Sequence, residues 1–213
     1  SDIGIKKIKF NTYNNSLIIA YENGNIDIIT DGNEVINLSY IKNSNIVGSK
    51  TINNIFLQGK LAYVGTGFGI VVLDTDKLEV QDTYLIGNLG GYVSVNSITM
   101  DTLNIYAATN EGVYFADKTN PNLADYNNWT TIPELGNTPY SNIEFFSKRL
   151  FVTSESPVSS GDSLFYFNNG AWENMLGIGI DIECLEKISS YSLALTWDRG
   201  IFLFEVDSLI QHF

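Results

Sequence analysis

A hairpin pattern that recurs five times restricts the fold of this chain more than any other feature. The five copies begin at Leu17, Leu61, Ile105, Leu150 and Leu193, so that successive copies start 44, 44, 45 and 43 residues apart. Each copy is a hydrophobic strand, a turn and a second hydrophobic strand. An apolar segment precedes every copy, and another follows each of the first four. Four strands in about 44 residues is the period of a β-propeller blade.

The sequence therefore predicts an all-β fold, a β-propeller of four-stranded antiparallel blades. We expect about five blades in this chain, as part of a larger ring, and a single domain over residues 1–213. The predicted blades cover approximately residues 1–49, 50–94, 95–140, 141–181 and 182–213. The final segment, VDSLIQHF, is expected to begin the outer strand of the fifth blade. Only PNLADYNN, Pro121 to Asn128, is a polar run long enough for a helical turn.

The hairpin turns carry glycine in a shared register, at Gly24, Gly69, Gly112 and Gly200. The fourth turn is longer, from Ser154 to Asp162, and keeps a glycine at Gly161. We expect positive φ at both Asn23 and Gly24, because that geometry matches the twist of paired antiparallel strands.

Charge excludes one class of partner. With 24 acidic and 12 basic residues the formal net charge is −12, which repels a phosphate backbone unless lysines and arginines cluster. The one basic group, Lys6, Lys7 and Lys9, is expected on a solvated strand edge. Nucleic acid is therefore not an expected partner.

The apolar runs are only as long as strands, so we expect no transmembrane segment. The chain lacks an initiator Met and reads as a piece of a longer protein, so the missing leader does not indicate a compartment.

The cysteine and the histidine of this chain do not indicate a disulfide, a catalytic triad or a metal site. The single cysteine, Cys184, cannot form an intrachain disulfide and is expected to be a small buried residue of an inner strand. The single histidine, His212, lies beside the chain end, which is a poor place for a catalytic triad or a histidine metal site.

One glycine-rich segment and one acidic segment are similar to ligand-binding motifs. GTGFG, Gly65 to Gly69, is followed by the strand-like IVVLD, whereas a phosphate-binding loop needs a helix behind it. DTDKLE places Asp74, Asp76 and Glu79 together but lacks the central glycine of an EF-hand, so we interpret it as a solvated acidic loop.

Paired acids are also unconvincing as catalysts. Glu111 and Asp198 occupy equivalent turns of different blades and are not interpreted as a glycosidase pair. We therefore expect no enzyme activity, no catalytic residue, no cofactor and no metal.

Geometry predicts where binding would occur. In a propeller, the turn between the second and third strands lies on the same face as the links between blades, and loops on a rigid scaffold usually carry function. The candidate binding residues are the following turn residues: Glu22, Asn23, Phe68, Glu111, Glu155, Asp162, Trp197, Asp198 and Arg199.

Two features of these turns have alternative interpretations. The longer fourth turn is either an insertion on the binding face or a tolerated surface excursion. Tyr21-Glu22-Asn23 and Trp197-Asp198-Arg199 place an aromatic ring beside charge, which suits peptide or sugar recognition, but such rings also pack against a neighbouring blade. The WD dipeptide of TWDRG occurs once and is not interpreted as a WD40 signature.

Several stretches taken together resemble the PorZ family, the propeller proteins of the bacterial type IX secretion system. These stretches are AYENGNIDII, IVGSKTINNIFLQGKLAYVGTGFGIVVLD, VQDTYLIG, VNSITM, and IYAATNEGVYFAD followed by NLADYNNW. The opening SDIGIKKIKF resembles the sequence that follows the first blade of that family. The resemblance is close over about residues 1–135 and continues as repeat pattern beyond them.

The resemblance implies a non-enzymatic scaffold in the periplasm or at the outer-membrane cell surface. It implies partners in the sortase attachment complex, PorU with PorV and PorQ, which process cargo and attach it to anionic lipopolysaccharide. Family members have two propellers and a C-terminal domain, so lipopolysaccharide contacts would involve parts outside this chain. No catalytic motif is carried over.

Other function classes stay open. The pattern in YVGTGFGI and YAATNEGV is also similar to the extracellular ligand-sensing propellers of hybrid two-component regulators. A polysaccharide-cleaving propeller would need convergent carboxylates. We also expect exposed blade edges to favour self-association with a second copy.

Overall fold

The computed structural model describes residues 3–155, 161–177, 181–197, 199–205 and 208–212. It contains five four-stranded antiparallel sheets, so the predicted all-β fold of propeller blades is confirmed. In each sheet the strands are neighbours in chain order. The chain divides into two compact units, residues 1–98 with 120–129 and residues 99–119 with 130–213, called unit 1 and unit 2 below.

The strands of the five blades, in chain order, have the following bounds. Blade 1 contains β1 (Ile5–Asn11), β2 (Ser16–Tyr21), β3 (Ile26–Ile29) and β4 (Val35–Leu38). Blade 2 contains β5 (Ile52–Gln58), β6 (Leu61–Thr66), β7 (Gly69–Asp74) and β8 (Glu79–Tyr84). Blade 3 contains β9 (Val95–Met100), β10 (Asn104–Thr109), β11 (Gly112–Asp117) and β12 (Thr130–Thr131).

Blade 4 contains β13 (Tyr140–Phe146), β14 (Arg149–Ser154), β15 (Ser163–Asn168) and β16 (Ala171–Gly177). Blade 5 contains β17 (Ile182–Lys187), β18 (Ser192–Trp197), β19 (Gly200–Glu205) and β20 (Ser208–His212). The last strand, β20, pairs with β19, so the expected outer strand of the fifth blade is confirmed.

The core of unit 1 lies between blades 1 and 2. Alternate residues of a strand point to opposite sides of its sheet, so β2 buries Ser16, Ile18 and Ala20 while the side chains between and after them are half-buried. Ile18 and Ala20 pack in one hydrophobic cluster with Ile55 and Val64 of blade 2. In β7 every residue is buried, because this strand is covered on both faces.

Hydrophobic clusters join successive blades among the described residues of unit 2. One joins blade 3 to blade 4 and includes Val113, Ile143 and Val152. Another joins blade 4 to blade 5 and includes Leu164 and Leu195. Burial of β-branched and aliphatic side chains between successive sheets is the main stabilising contribution in each unit.

Helical structure is limited to short segments. The one α-helix of the described residues, α1 (Tyr40–Asn43), was not predicted, and 3₁₀ turns occupy Asn88–Gly90, Tyr126–Asn128 and Pro133–Leu135. Within the polar run 121–128, only the last three residues are helical, and Asp125 caps them by accepting a hydrogen bond from the backbone N–H of Asn127.

Three expectations need correction. Only Gly24 of the Asn23-Gly24 pair has positive φ, at 81°, because the backbone N–H of Gly24 donates to Tyr21 O and closes a turn centred on Glu22 and Asn23. The thiol-bearing Cys184 is partly exposed rather than buried. Asp74 is not solvated: it is buried and forms an ion pair with Lys60 at 2.9 Å.

The interpretation of GTGFG as a turn is confirmed. Thr66 and Gly69 pair across a tight hairpin, and the residues that follow form β7 rather than a helix.

Lys6 and Lys7 are exposed on β1, which is an edge strand of its sheet. His212 lies on β20, and its side chain is outside the described part of the chain.

Candidate functional site on the link face

The turns between second and third strands lie beside the links that lead from one blade to the next. A Cβ atom added to Gly24 would lie 2.8 Å from the carbonyl oxygen of Lys50, and one added to Gly67 would lie 2.5 Å from that of Ser49. In unit 2, a Cβ on Gly112 would lie 2.8 Å from the carbonyl oxygen of Gly136. We call the surface formed by these turns and links in each unit its link face.

A threonine fixes the turn in blades 2 and 3. The hydroxyl of Thr66 donates to Gly69 O at 2.9 Å and accepts from the backbone N–H of Phe68. Thr109 makes the same contacts, donating to Gly112 O at 2.8 Å and accepting from the N–H of Glu111. Both threonines are buried, so these hydrogen bonds hold the turn rigidly under the crossing link.

Unit 1 holds three of the sequence-predicted residues. Glu22 is exposed, and its carboxylate lies over Gly4. Asn23 is half-buried and accepts a hydrogen bond from the N–H of Asn25 at 3.0 Å, so it serves the turn. Phe68 is buried in the core cluster of blades 1 and 2, with 1% of its surface exposed.

Unit 2 holds the remaining predicted residues that the structure describes. Glu111 and Glu155 are exposed, and the backbone N–H of Glu155 donates to Pro139 O in the preceding link. The carboxylate of Asp162 accepts from the N–H of Ile182 at 2.8 Å, which joins the fourth turn to the first strand of blade 5.

The fifth turn is partly described. The Trp197 ring stacks on Phe202 with ring centroids 4.2 Å apart, so it packs within its own blade. Arg199 is exposed, and Asp198 lies outside the described residues. The predicted residues that the structure describes therefore fall into two groups: exposed charged residues, and residues that pack or form hydrogen bonds within the blades and turns.

Sequence reasoning missed the apolar side chains of the links. Val47, Leu89 and Tyr92 are exposed on the two links of unit 1. Tyr92 stands edge-on to Phe68, with ring centroids 6.4 Å apart, and lies beside Gly48 of the first link. These links are rich in Asn, Ser and Gly, so the isolated apolar residues had no periodic pattern to identify them.

Leu89 is held in an unusual backbone conformation. Its φ of 54° and ψ of 30° lie in the left-handed region, which non-glycine residues rarely adopt. Hydrogen bonds from Gly90 N to Gly87 O and from Gly91 N to Asn88 O close the turn around it. The link thus presents an apolar side chain to solvent at the cost of local strain.

Two tyrosines that donate hydrogen bonds to carboxylates have raised pKa values. The hydroxyl of Tyr21 donates to Asp27 at 2.8 Å, and this hydrogen bond raises the pKa of Tyr21 above its ordinary value. Burial raises the pKa of Tyr106 to about 12, with Asp101 adding to the effect and Asn104 opposing it. Both phenols stay protonated at neutral pH and act as hydrogen-bond donors.

The described ranges contain no group of three or more histidine, cysteine or acidic side chains placed to hold a metal ion. The oxygens of Asp74 are occupied by Lys60 and by the backbone N–H groups of Asp76 and Lys77. Across the part of the chain that the structure covers, no helix has the length and hydrophobicity to cross a membrane.

These features define a β-propeller repeat protein in which turns and links form a loop face in each unit. Residues 1–130 match the family described as "TSS9, PorZ, N-terminal beta-propeller domain", and the chain belongs to this PorZ family. No curated protein sequence matches the chain.

Solved structures share the fold. PorZ of Porphyromonas gingivalis, described as an essential bacterial surface component of the type IX secretion system, is 22% identical with a TM-score of 0.79. The match covers 97% of this chain and 26% of that PorZ chain, so the chain spans about a quarter of its relative.

Two other solved structures also match the fold. U3-55K is 10% identical with a TM-score of 0.69, over 98% of this chain and 63% of its own. The extracellular domain of BT3049, assigned to a hybrid two-component system of B. thetaiotaomicron, is 15% identical with a TM-score of 0.65. That match covers 97% of this chain and 29% of the BT3049 chain. At these identities the likeness is one of fold.

Proposed function

We propose that this chain is a non-catalytic protein-interaction module of the type IX secretion system, working as part of a longer protein. It helps the sortase complex to process secreted cargo and attach it at the cell surface. Membership of the PorZ propeller family carries this proposal. The proposal includes a single domain over residues 1–213, a location in the periplasm or at the outer-membrane surface, and PorU-, PorV- and PorQ-like partners.

The link face of unit 1 is the part of the chain best suited to such contacts. Its turns are braced by Thr66 and by the crossing link, so little conformational entropy is lost on binding. Val47, Leu89 and Tyr92 supply apolar and aromatic contact area there. The exposed Glu22 adds a charge at the rim. Such a surface can bind a protein without any catalytic group.

The test is deletion of the full-length gene, followed by proteomics of the periplasm and cell surface for proteins that bear the C-terminal secretion signal. We expect cargo to accumulate unprocessed in the periplasm. Complementation with Leu89→Asp should restore less than about half of the attached cargo, because a charge replaces an apolar contact. Asp tolerates the left-handed backbone better than Leu, so folding is preserved.

Leu103→Asp is the matched control. Leu103 is 67% exposed, compared with 78% for Leu89, but lies in the turn between the first two strands of blade 3. This control should complement fully. Normal cargo export in the deletion strain would overturn the proposal, and equal complementation by both variants would remove the link face of unit 1 from it.

The fold neighbour BT3049 favours a second candidate, a ligand-sensing propeller outside the membrane. The full-length gene discriminates between the two functions. A second propeller and a small β-domain after this region favour secretion, whereas a membrane span and a kinase favour sensing.

A further inference from the structure

An apolar cavity lies in unit 1 between the link that leaves blade 1 and the outer strands of blade 2. Its volume is about 150 Å³, and Ile41, Ile46, Phe68, Val71 and Val80 form most of its lining. An apolar cavity of roughly this size holds a benzene molecule in another protein. The cavity therefore has room for one bulky apolar side chain.

A wider polar groove adjoins the cavity. It has a volume of about 490 Å³ and is lined by residues 37–40 together with Asn43 and Ser44. The Asn37 side-chain amide donates to Asp27 at 2.6 Å, and that of Asn43 donates to Ser39 at 3.0 Å. Each contact uses an N–H of the amide and not its oxygen, which is a hydrogen-bond acceptor that a ligand can use.

Tyr40 connects the two spaces. It lines both the cavity and the groove, and its side chain is 57% exposed. Tyrosine offers a large rigid surface and a hydroxyl at little entropic cost, which is why it is enriched at binding hot spots.

The groove runs beside a free sheet edge. β4 is the last strand of blade 1, and within the described residues no strand pairs with its outer side. A strand edge of this kind presents backbone N–H and C=O groups that an added strand can satisfy.

We propose that the outer margin of blades 1 and 2 binds an extended polypeptide segment. The segment adds to the edge of β4, its backbone meets the polar groove, and one bulky apolar side chain enters the cavity. The net charge of −12 disfavours a strongly acidic segment. The apolar cavity favours a peptide over an oligosaccharide, whose hydroxyls would be left without partners there.

This inference extends the proposed function by naming a second surface and its ligand, and it takes from that function only that the partner is a polypeptide. Its test uses the purified chain and a phage-displayed library of random decapeptides. Failure here leaves the secretion phenotype untouched, so the two proposals fail separately. We expect enriched peptides to share one Leu, Met, Phe or Trp position within a β-prone, uncharged or basic segment.

Three variants locate the binding site. Tyr40→Ala and the cavity-filling Val80→Phe should each raise the Kd of the selected peptides about ten-fold or more. Tyr13→Ala removes a tyrosine that is 60% exposed but lines neither space, and should leave the Kd within about two-fold. Circular dichroism confirms that each variant folds, and the two test variants act on different sides of the cavity.

Backbone methylation tests strand addition. A selected peptide carrying N-methyl groups on alternate residues should bind about ten-fold more weakly, because the added strand loses its hydrogen-bond donors. The inference is overturned if no peptide is enriched, or if enriched peptides bind Tyr40→Ala and Val80→Phe as tightly as the natural chain. Selective binding of an oligosaccharide in place of peptides would overturn it as well.

Discussion

Asp74 stabilises the turn between β7 and β8 of blade 2, in unit 1. Among the described residues it is the one charged residue that is buried, and Lys60 and two backbone N–H groups satisfy its carboxylate. The next residue, Thr75, accepts hydrogen bonds at 3.2 Å from the side-chain amides of Asn11 and Asn14 in blade 1. One carboxylate thus orders a turn that fastens two blades together.

The pH dependence of stability should show this role. The Lys60 hydrogen bond is the main reason that the pKa of Asp74 lies below its ordinary value. Its stabilisation is therefore complete above the unfolded-state pKa of about 3.9 and is lost as pH falls through the lower folded-state pKa. We expect Asp74→Asn to be less stable than the natural chain at pH 7 and equally stable at strongly acidic pH, in urea unfolding curves.

Asp31→Asn is the control for this measurement, since Asp31 is exposed in the turn after β3. It should change the free energy of unfolding by less than about 0.5 kcal/mol at neutral pH. Parallel stability curves for Asp74→Asn and the natural chain at all pH values would show that the carboxylate charge contributes nothing.

The hairpin turns depend on glycine because another part of the chain crosses them. Gly69 has a φ of 152°, and an added Cβ would collide with the carbonyl oxygen of Tyr84. Gly69→Ala should therefore lower the free energy of unfolding by about 2 kcal/mol or more. Gly32→Ala, whose Cβ would make an ordinary contact at 3.7 Å, should change it by less than about 0.5 kcal/mol. Equal effects of the two substitutions, measured by thermal unfolding, would refute the steric explanation.

The predictable parts of the fold are those that local sequence determines. Alternating apolar residues and turn glycines define the blades, because strand pairing and hairpin geometry depend on neighbours in sequence. The negative φ of Asn23 follows from the hydrogen bond between Gly24 N and Tyr21 O. The burial of Phe68 and the short helix α1 follow from the path of the first link. That path is set by packing across blades, which the repeat pattern does not encode.

The candidate site, like the fold, is predictable from local sequence only in part. The residues proposed from the turns lie at the turns, but the side chains that offer contact area, such as Leu89 and Tyr92, come from links without periodicity. The cavity beside Tyr40 requires blade 2 to stand behind the link of blade 1, so only the three-dimensional arrangement identifies it.

One face of blade 1 is exposed, whereas the corresponding faces of blades 2, 4 and 5 are buried. The first strand has an irregularity near its start in blades 1, 2, 4 and 5, and an aliphatic residue follows at the same register: Ile8, Ile55, Ile143 and Leu185. The last three are buried against the preceding blade, whereas Ile8 is 55% exposed, and Phe10 on the same strand and Val35 on β4 are exposed as well. The exposed face of blade 1 therefore carries apolar residues like those that the later blades bury.

This face should make the chain self-associate. We expect the mean mass to rise above 23.7 kDa with concentration in light scattering, most clearly at high salt, where repulsion between copies of net charge −12 is screened. Ile8→Asp with Phe10→Asp should abolish the rise by placing charge on the face, whereas Leu103→Asp should not. A monodisperse monomer of the natural chain at its solubility limit would contradict this expectation.

The crossing of turns by links also limits how the repeats can diverge. The links meet Gly24, Gly67 and Gly112 with backbone carbonyl groups, so the contact does not depend on which side chains the links carry. Mutation can therefore replace link residues freely while the glycines beneath them stay fixed. A lineage of such proteins could acquire new partners through its links without re-evolving its blades.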